Sequence, residues 1–151
     1  MSTERDYATK RTYIVEALAE KLKDIDGTGE FLSNVYQNVS PRLLFWDEVS
    51  DFPAIHLNAG SETRRYQTAG YKDRFLSVTV RCYVQQDNAQ EALSELLEDV
   101  ETVLEQNIYM KYFDRKGKQH SVNQITIISI DTDEGVLEPL AVAELQLEVQ
   151  Y

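Results

Sequence analysis

Two different spacings of apolar residues meet in the middle of the chain, between Arg74 and Gln106. In the first half, apolar side chains occupy every second position, the period of a strand with one buried face: Leu76, Val78, Val80, Cys82 and Val84. In the second half, the spacing changes to that of an amphipathic helix: Ala89, Leu93, Leu96, Leu97, Val100, Val103 and Leu104. Asp87 or Asn88 suits the N-cap, with Gln90 and Glu91 as capping-box partners. The pattern predicts a strand followed almost directly by a helix.

The same patterns predict further elements on both sides of this unit. A first helix, capped by Ser2 or Thr3, carries an apolar stripe of Tyr7, Ile14, Val15, Leu18, Leu22 and Ile25, and glycines 27 and 29 end it. Alternating segments predict strands at 34–40, 54–59, about 122–130 and 141–151. The element order is α-β-β-β-α-β-β. It predicts an α+β fold, in which a mostly antiparallel sheet of about five strands carries two helices on one face.

Length and repeat content bear on domain organisation. The 151 residues show no internal repeat and no low-complexity linker, so residues 1–151 are expected to form one domain. Residues 60–73 (GSETRRYQTAGYKD) form a long polar insertion between two strand patterns, and a connection of this length is uncommon unless it binds something or is disordered. The insertion is interpreted as a projecting arm, with an extended hairpin as one possible form.

Two stretches are candidates for contact with another protein chain. The arm carries the residue types that are enriched at interface centres, namely Arg64, Arg65, Tyr66 and Tyr71. The segment RLLFWDEVSDF, which contains Phe45 and Trp46, is too apolar for a free loop and too short for a core helix. It is expected to cover a sheet edge or to meet a partner.

The charge of the chain limits the functions it can have, and the charged residues are unevenly distributed along the sequence. The net charge of −11 argues against a surface that neutralises phosphates, since nucleic-acid affinity comes largely from Lys and Arg. Seven acidic residues and no basic ones lie between Gln86 and Gln106, and four of them recur on one helix face: Glu91, Glu95, Glu98 and Glu105. Glu144 and Glu148 give the last strand an acidic face as well. Such faces either stay in water or serve assembly.

A search for catalytic chemistry gives little. HExxH, GxSxG, GxGxxG and P-loop patterns are all absent from the sequence. His56 and His120 stand without partner motifs, and Cys82 lies among valines, where an inert buried thiol is expected. The run DTDEG departs from the calcium-loop pattern and is interpreted as a turn. No enzyme activity, cofactor or metal site is predicted; an enzyme that uses scattered carboxylates is the weakest alternative.

The hydropathy of the sequence indicates where in the cell the protein is expected. No apolar run approaches the ~20 residues of a membrane helix, and the polar opening MSTERDYATK lacks the apolar region of a signal peptide. A cytoplasmic protein without membrane contact is expected.

Several stretches together resemble a known family. An N-terminal helix is followed by DFPAIHLNAGSE, a polar arm, a strand ending in YVQQDN and a Leu-rich helix. The DTDEG turn is then joined through Pro139 to an alternating strand that ends in Tyr151. This layout resembles the tail terminator (tail completion) proteins of long-tailed bacteriophages. The family has no catalytic motif, so no site residue is carried over from it.

The resemblance implies a structural role in the virion. Such proteins form rings, typically hexamers, on the head-proximal end of the tail tube, stop its polymerisation and present a surface to the head connector. The implied partners are further copies of the chain, the tail tube protein and the connector protein, with DNA as the passing genome. Assembly in the host cytoplasm is expected.

A ring of identical subunits needs two different complementary patches on each copy. The arm at 60–73 is predicted to bind an acidic surface on the next copy, which we call the receiving surface. One acidic face is expected to line the DNA channel. A non-enzymatic protein-binding module, or another head–tail joining (neck) protein, has the same composition and stays open as an alternative.

Overall fold

The computed structural model describes residues 10–44 and 48–151. Its elements in chain order are α1 (Arg11–Leu22), β1 (Val39–Ser40), β2 (Ala54–Tyr66), β3 (Lys72–Gln85), α2 (Ala89–Gln106), β4 (Lys111–Phe113), β5 (Gln119–Ser121), β6 (Gln124–Thr132) and β7 (Leu140–Gln150). One sheet has the strand order β1-β2-β3-β7-β6, in which β1 runs parallel to β2 and every other neighbouring pair is antiparallel. Strands β4 and β5 form a separate two-stranded hairpin. No helix in the described ranges is long and apolar enough to span a membrane.

The hydrophobic core lies between the two helices and one face of the five-stranded sheet. Alternate residues of β3 and β7 supply the sheet side: Leu76, Val78, Val80, Cys82, Val84, Ala141, Ala143, Leu145, Leu147 and Val149. The buried apolar residues of α1 and α2 belong to the same cluster. The predicted α+β fold, with two helices on one face of a mostly antiparallel sheet, is therefore confirmed.

The central strand and helix form where the sequence places them, but the helix begins differently from the prediction. Asn88 occupies the N-cap, and its side chain makes no capping hydrogen bond. The expected capping box is also wrong, because the Gln90 amide donates to the Asp133 carboxylate at 3.2 Å instead. Burial of the apolar face, rather than a side-chain cap, holds this helix in place.

The strand predicted at 34–40 is wrong over most of its length. Tyr36 and Gln37 have positive φ angles of 49° and 65°, so the chain turns there and only Val39–Ser40 pairs with β2. Val35 and Val39 are both buried on the two sides of this turn. Their spacing imitates strand alternation because both reach the core from a folded loop.

Strand β2 is longer than the predicted 54–59, because the polar residues that follow continue the ladder. It pairs with β3 up to Tyr66 opposite Lys72, with an irregularity between Ala59 and Glu62. Strand β7 accompanies β3 only to Phe75, apart from backbone hydrogen bonds between Arg74 and Tyr151 at 2.9 and 3.2 Å. The end of the β2–β3 hairpin therefore extends beyond the sheet, and we call residues 60–73 the arm.

The hairpin of β4 and β5, which turns around Gly117, is not among the strands that the sequence predicts. Three residues on each side pair, from Lys111 opposite Ser121 to Phe113 opposite Gln119. Tyr112 is buried in the core cluster. The next strand then runs over 124–132 rather than 122–130.

Candidate functional site

The arm carries basic and aromatic side chains on both faces of an ordered hairpin. Tyr66 and Tyr71 are 68% and 73% exposed, and Lys72 lies 5.4 Å from the centre of the Tyr66 ring. Arg65 packs over the ring of Phe75 at 5.8 Å. The structure thus brings the predicted interface residues Arg64, Arg65, Tyr66 and Tyr71 together on one hairpin. Its strands are already paired, so little backbone entropy remains to be lost on binding.

The base of the arm is fixed by a small polar network. Arg64 Nε lies 2.8 Å from a Glu62 carboxylate oxygen, and the Tyr151 hydroxyl donates to the other oxygen. Burial alone raises the pKa of Glu62, but the hydrogen bonds from Tyr151 and Arg64 outweigh it and leave that pKa below its usual value. Arg64 therefore has a structural role, and Arg65 and Lys72 are the better candidates for contact.

The exposed side of α2 carries the predicted acidic face. Glu91, Glu95, Glu98 and Glu105 are all exposed on the side away from the sheet. Like charges at these spacings cost a few tenths of a kcal/mol per pair, so helix stability does not account for them.

Asp99 differs from the other acidic residues of this helix, because only 1% of it is exposed. Its carboxylate accepts hydrogen bonds from the Leu32 amide at 2.9 and 3.1 Å, from the Ser33 amide at 2.7 Å and from the Ser33 hydroxyl. The residue ties α2 to the loop after α1. Sequence reasoning missed this role, although Asp99 stands three residues after Leu96 and four before Val103, on the apolar face.

The other predicted acidic surface, on β7, lies on the opposite side of the sheet. Glu144 Oε2 accepts a hydrogen bond from Arg81 Nε at 2.9 Å, and the Gln146 amide donates to its second oxygen at 2.9 Å. Glu148 is exposed, opposite Ser77. The α2 face and the β7 face therefore point in opposite directions and do not form one surface, and a basic side chain offsets part of the charge on β7.

The turn between β6 and β7 is organised by Asp133. Its carboxylate accepts the Leu137 amide at 3.1 Å and the Val142 amide at 3.2 Å, in addition to the Gln90 side chain. Burial raises the Asp133 pKa, and these donors lower it further than burial raises it. The turn predicted at 131–135 is confirmed from Asp133 onward, whereas Asp131 and Thr132 still belong to β6. The turn leaves Val136 82% exposed.

The candidate reactive residues do not form a catalytic grouping. Burial raises the pKa of the Cys82 thiol to about 12, which makes it inert. His56 is buried beside Tyr83, with ring centres 5.2 Å apart, and burial followed by the charge of Arg81 lowers its pKa. Within 10–44 and 48–151, no three His, Cys, Asp or Glu side chains are placed to hold a metal ion.

Phe45 and Trp46, the remaining predicted interface residues, lie outside the described residues. On their N-terminal side, the Leu44 carbonyl accepts a hydrogen bond from the Tyr83 hydroxyl at 3.4 Å. Leu44 thus lies over the polar face of the sheet, opposite the helices.

Asp114→Asn is expected to weaken the pH dependence of stability in acid. The Asp114 carboxylate lies 2.7 Å from His120 Nε2 and accepts the Lys116 and Lys118 amides at 2.8 and 3.0 Å. These bonds, that from His120 above all, lower its pKa from 3.8 to about 2. A depressed acidic pKa contributes stability that is present above 3.8 and is lost as the pH falls through about 2. Urea unfolding at a series of pH values measures the slope.

The matched control for this prediction is Asp24→Asn, at an exposed aspartate just after α1. It should leave the wild-type slope between pH 4 and pH 2 unchanged. Equal slopes for Asp114→Asn and wild type would show that the carboxylate is not held as described.

Comparison with known proteins identifies the family. The sequence profile described as "Bacteriophage Tail Tube Terminator Protein" matches residues 8–151. The tail tube terminator protein p142 of Escherichia phage T5 is 30% identical over 149 residues, covering 93% of this chain and 92% of that protein. A chain in the virion of a native gene transfer agent particle has the same fold, with a TM-score of 0.53 at 7% identity over 91% of this chain and 93% of that one. The resemblance seen in the sequence is confirmed: the chain belongs to the bacteriophage tail tube terminator family and is a structural protein of the phage tail rather than an enzyme.

Proposed function

We propose that the protein forms a closed ring, a hexamer, on the head-proximal end of the tail tube. The ring stops the addition of further tube subunits and provides the surface to which the head connector attaches. The observation that carries this proposal is the arm, a paired hairpin with Arg65, Tyr66, Tyr71 and Lys72 that extends beyond its own sheet. A projecting surface of this composition suits contact with another chain better than it suits solvent.

Ring closure sets the type of contact. Identical subunits close into a ring through a heterologous interface, in which a patch on one copy meets a different patch on the next. The arm is the patch that projects from one copy and binds the next. Its Arg and Lys side chains, in a chain with a net charge of −11, favour an acidic receiver on the neighbouring copy.

The genome passes through the ring, and the exposed face of α2 lines that channel. The reason for choosing α2 over β7 is charge density, because α2 has no Lys or Arg along its length whereas Glu144 on β7 is paired with Arg81. A lumen of like charge keeps DNA from adhering, since attachment depends on basic groups that release counterions. Subunits fold in the host cytoplasm and join the tail there.

The arm is tested by reversing two of its charges. The double variant Arg65→Glu with Lys72→Glu should lose rings and tube capping while it stays folded, because both side chains are exposed and the aromatic-ring contacts that they lose lie at the surface. Loss of interface hot spots worth about 2 kcal/mol or more weakens association roughly 30-fold. Negative-stain images of the protein, alone and mixed with tail tubes, show whether rings form and whether tube ends are capped.

The matched control reverses two exposed lysines elsewhere, Lys111→Glu with Lys118→Glu, on the β4–β5 hairpin. It makes the same change in net charge and should leave capping intact. Capped tubes with the arm variant would exclude the arm as the contact. A wild-type protein that neither forms rings nor caps tubes would overturn the ring itself.

A further inference from the structure

Strand β6 forms the end of the sheet farthest from β2, and it leaves apolar side chains in solvent. Ile128 is 60% exposed at the irregularity between Ile127 and Ser129, and Ile130 is 37% exposed. In the adjoining turn, Val136 is 82% and Leu137 37% exposed. Exposed apolar residues grouped on an edge strand mark a surface for protein contact.

The same region is acidic. Glu134 and Glu138 are exposed in the same turn as Val136 and Leu137, Asp131 is exposed on the face of β6 opposite Ile130, and no Lys or Arg occurs in the chain after Lys118. We name this surface, residues 128–138, the acidic edge. It combines carboxylates with apolar side chains, whereas no large apolar residue of α2 is exposed.

The arm and the acidic edge lie at diagonally opposite corners of the sheet. The arm continues from the end of β3 at Lys72, while the β6–β7 turn lies beyond the other end of that strand, level with Gln85. At ~3.3 Å per residue, these ends are roughly 40 Å apart along the strands. The two surfaces also lie on different edges, with β7 between β3 and β6. One chain therefore cannot join its own arm to its own acidic edge.

We propose that the arm of one copy docks on the acidic edge of the next. Arg65 and Lys72, which lie on opposite faces of the hairpin, contact the carboxylates of Asp131, Glu134 and Glu138 from the two sides of the arm, and the rings of Tyr66 and Tyr71 cover the apolar side chains around Val136. The partner is a second copy of this chain, chosen because the arm supplies the opposite charge and matching apolar surface. The inference rests on the proposed ring and names the receiving surface that the ring requires.

Side chains, rather than a continuous backbone ladder, carry this contact. The irregularity between Ile127 and Ser129 interrupts the regular edge of β6, which limits the pairing of another strand there. It also turns Ile128 outward, where an arm side chain can reach it. The acidic face of α2 is the rival receiver, since it offers charge without exposed apolar residues.

A charge swap tests the pairing. Glu134→Lys with Glu138→Lys should abolish rings and tube capping, as the arm variant Arg65→Glu with Lys72→Glu does. The chain that carries all four changes restores opposite charges across the contact, and its ring assembly should return to within about tenfold of the wild type. The control adds Glu91→Lys and Glu95→Lys on α2 to the arm variant and should not recover. Sedimentation velocity measures assembly.

Each outcome of the swap decides the question. Recovery only in the four-change chain supports the acidic edge, and failure of that chain to recover contradicts it. Recovery with the α2 control, or continued assembly of Glu134→Lys with Glu138→Lys alone, overturns the acidic edge and leaves the ring standing. A wild-type protein that shows neither rings nor capped tubes overturns both the ring and this contact.

Cross-linking provides a second measurement that does not depend on charge. Tyr71→Cys with Val136→Cys places thiols at two highly exposed positions, and the native Cys82 is buried. A short bismaleimide should join neighbouring copies into a ladder of covalent oligomers when the ring or the capped tube is present. The matched pair Tyr71→Cys with Ser94→Cys, at an exposed position on α2, should give no ladder. The reverse result would place the arm on the helix.

Discussion

Replacing Asp99 by alanine is expected to reduce the free energy of unfolding by about 3 kcal/mol or more. The carboxylate is buried and accepts the amides of Leu32 and Ser33 together with the Ser33 hydroxyl. Hydrogen bonds to a charged acceptor each contribute about 1.5–3 kcal/mol, and their loss leaves donors without a partner in the interior. Urea unfolding measures the change. The slope of that transition should stay close to wild type if the folded state keeps its compactness.

Two further variants make this measurement specific. Asp99→Asn keeps an acceptor oxygen but sets an amide against the backbone donors, so its loss should be intermediate. Glu98→Ala removes the neighbouring exposed carboxylate and should stay within about 0.5 kcal/mol of wild type. If Asp99→Ala and Glu98→Ala behave alike, the Asp99 carboxylate does not hold the 32–33 loop.

Reversing three charges on α2 is expected to leave tails capped but to block the passage of DNA. In the proposed ring, the triple variant replaces a channel wall that repels DNA by one that binds phosphates, and the change is repeated in every subunit. The three substitutions are Glu91→Lys, Glu95→Lys and Glu98→Lys. The isolated variant should bind duplex DNA with an affinity that falls steeply as salt increases, which the wild type should not do. Infectious titre per capped particle should fall by roughly tenfold or more, because adhesion of this kind strengthens with each phosphate neutralised.

Two comparisons separate a lumen from a surface effect. Glu148→Lys places a basic group on the opposite side of the sheet and should leave the titre near wild type. The glutamine triple variant at 91, 95 and 98 removes repulsion without adding attraction, and it should have a far smaller effect than lysine. A lysine triple variant that forms normal infectious particles would exclude α2 from the channel.

The sequence was most informative where one local period decides the structure. The unit from Arg74 to Gln106 shows this, since alternation and then helical spacing both report burial against the same core. The arm has no such period, because neither face of the hairpin is buried at Thr63, Arg65 or Asp73. The polar residues that continue β2 therefore carry no pattern that predicts a strand. Its strand state depends on pairing across the hairpin, which composition does not encode.

The differences between the predicted and the observed structure have separate physical causes. Two positive φ angles at Tyr36 and Gln37 end the expected strand, and neither residue type favours that conformation. Asp99 is one of the seven acidic residues between Gln86 and Gln106, and charge alone does not distinguish it from the exposed ones, although its position in the helical repeat lies on the buried face. The acidic edge was missed for a third reason: one extra residue at Ile128 shifts the alternation of β6, so inward and outward positions change midway.

The paired backbone of the arm has a consequence for the timing of assembly. In the proposed ring, a hairpin that is ordered before contact needs no folding step, so subunits associate at ordinary protein association rates, on the order of 10⁵–10⁷ M⁻¹s⁻¹. A single such contact can then be weak, because the last subunit to enter a ring makes two contacts at once and the second is intramolecular. Free subunits would stay apart at low concentration and close rapidly once the tube end gathers them. The completed tube, rather than a change of shape in the subunit, would determine when growth stops.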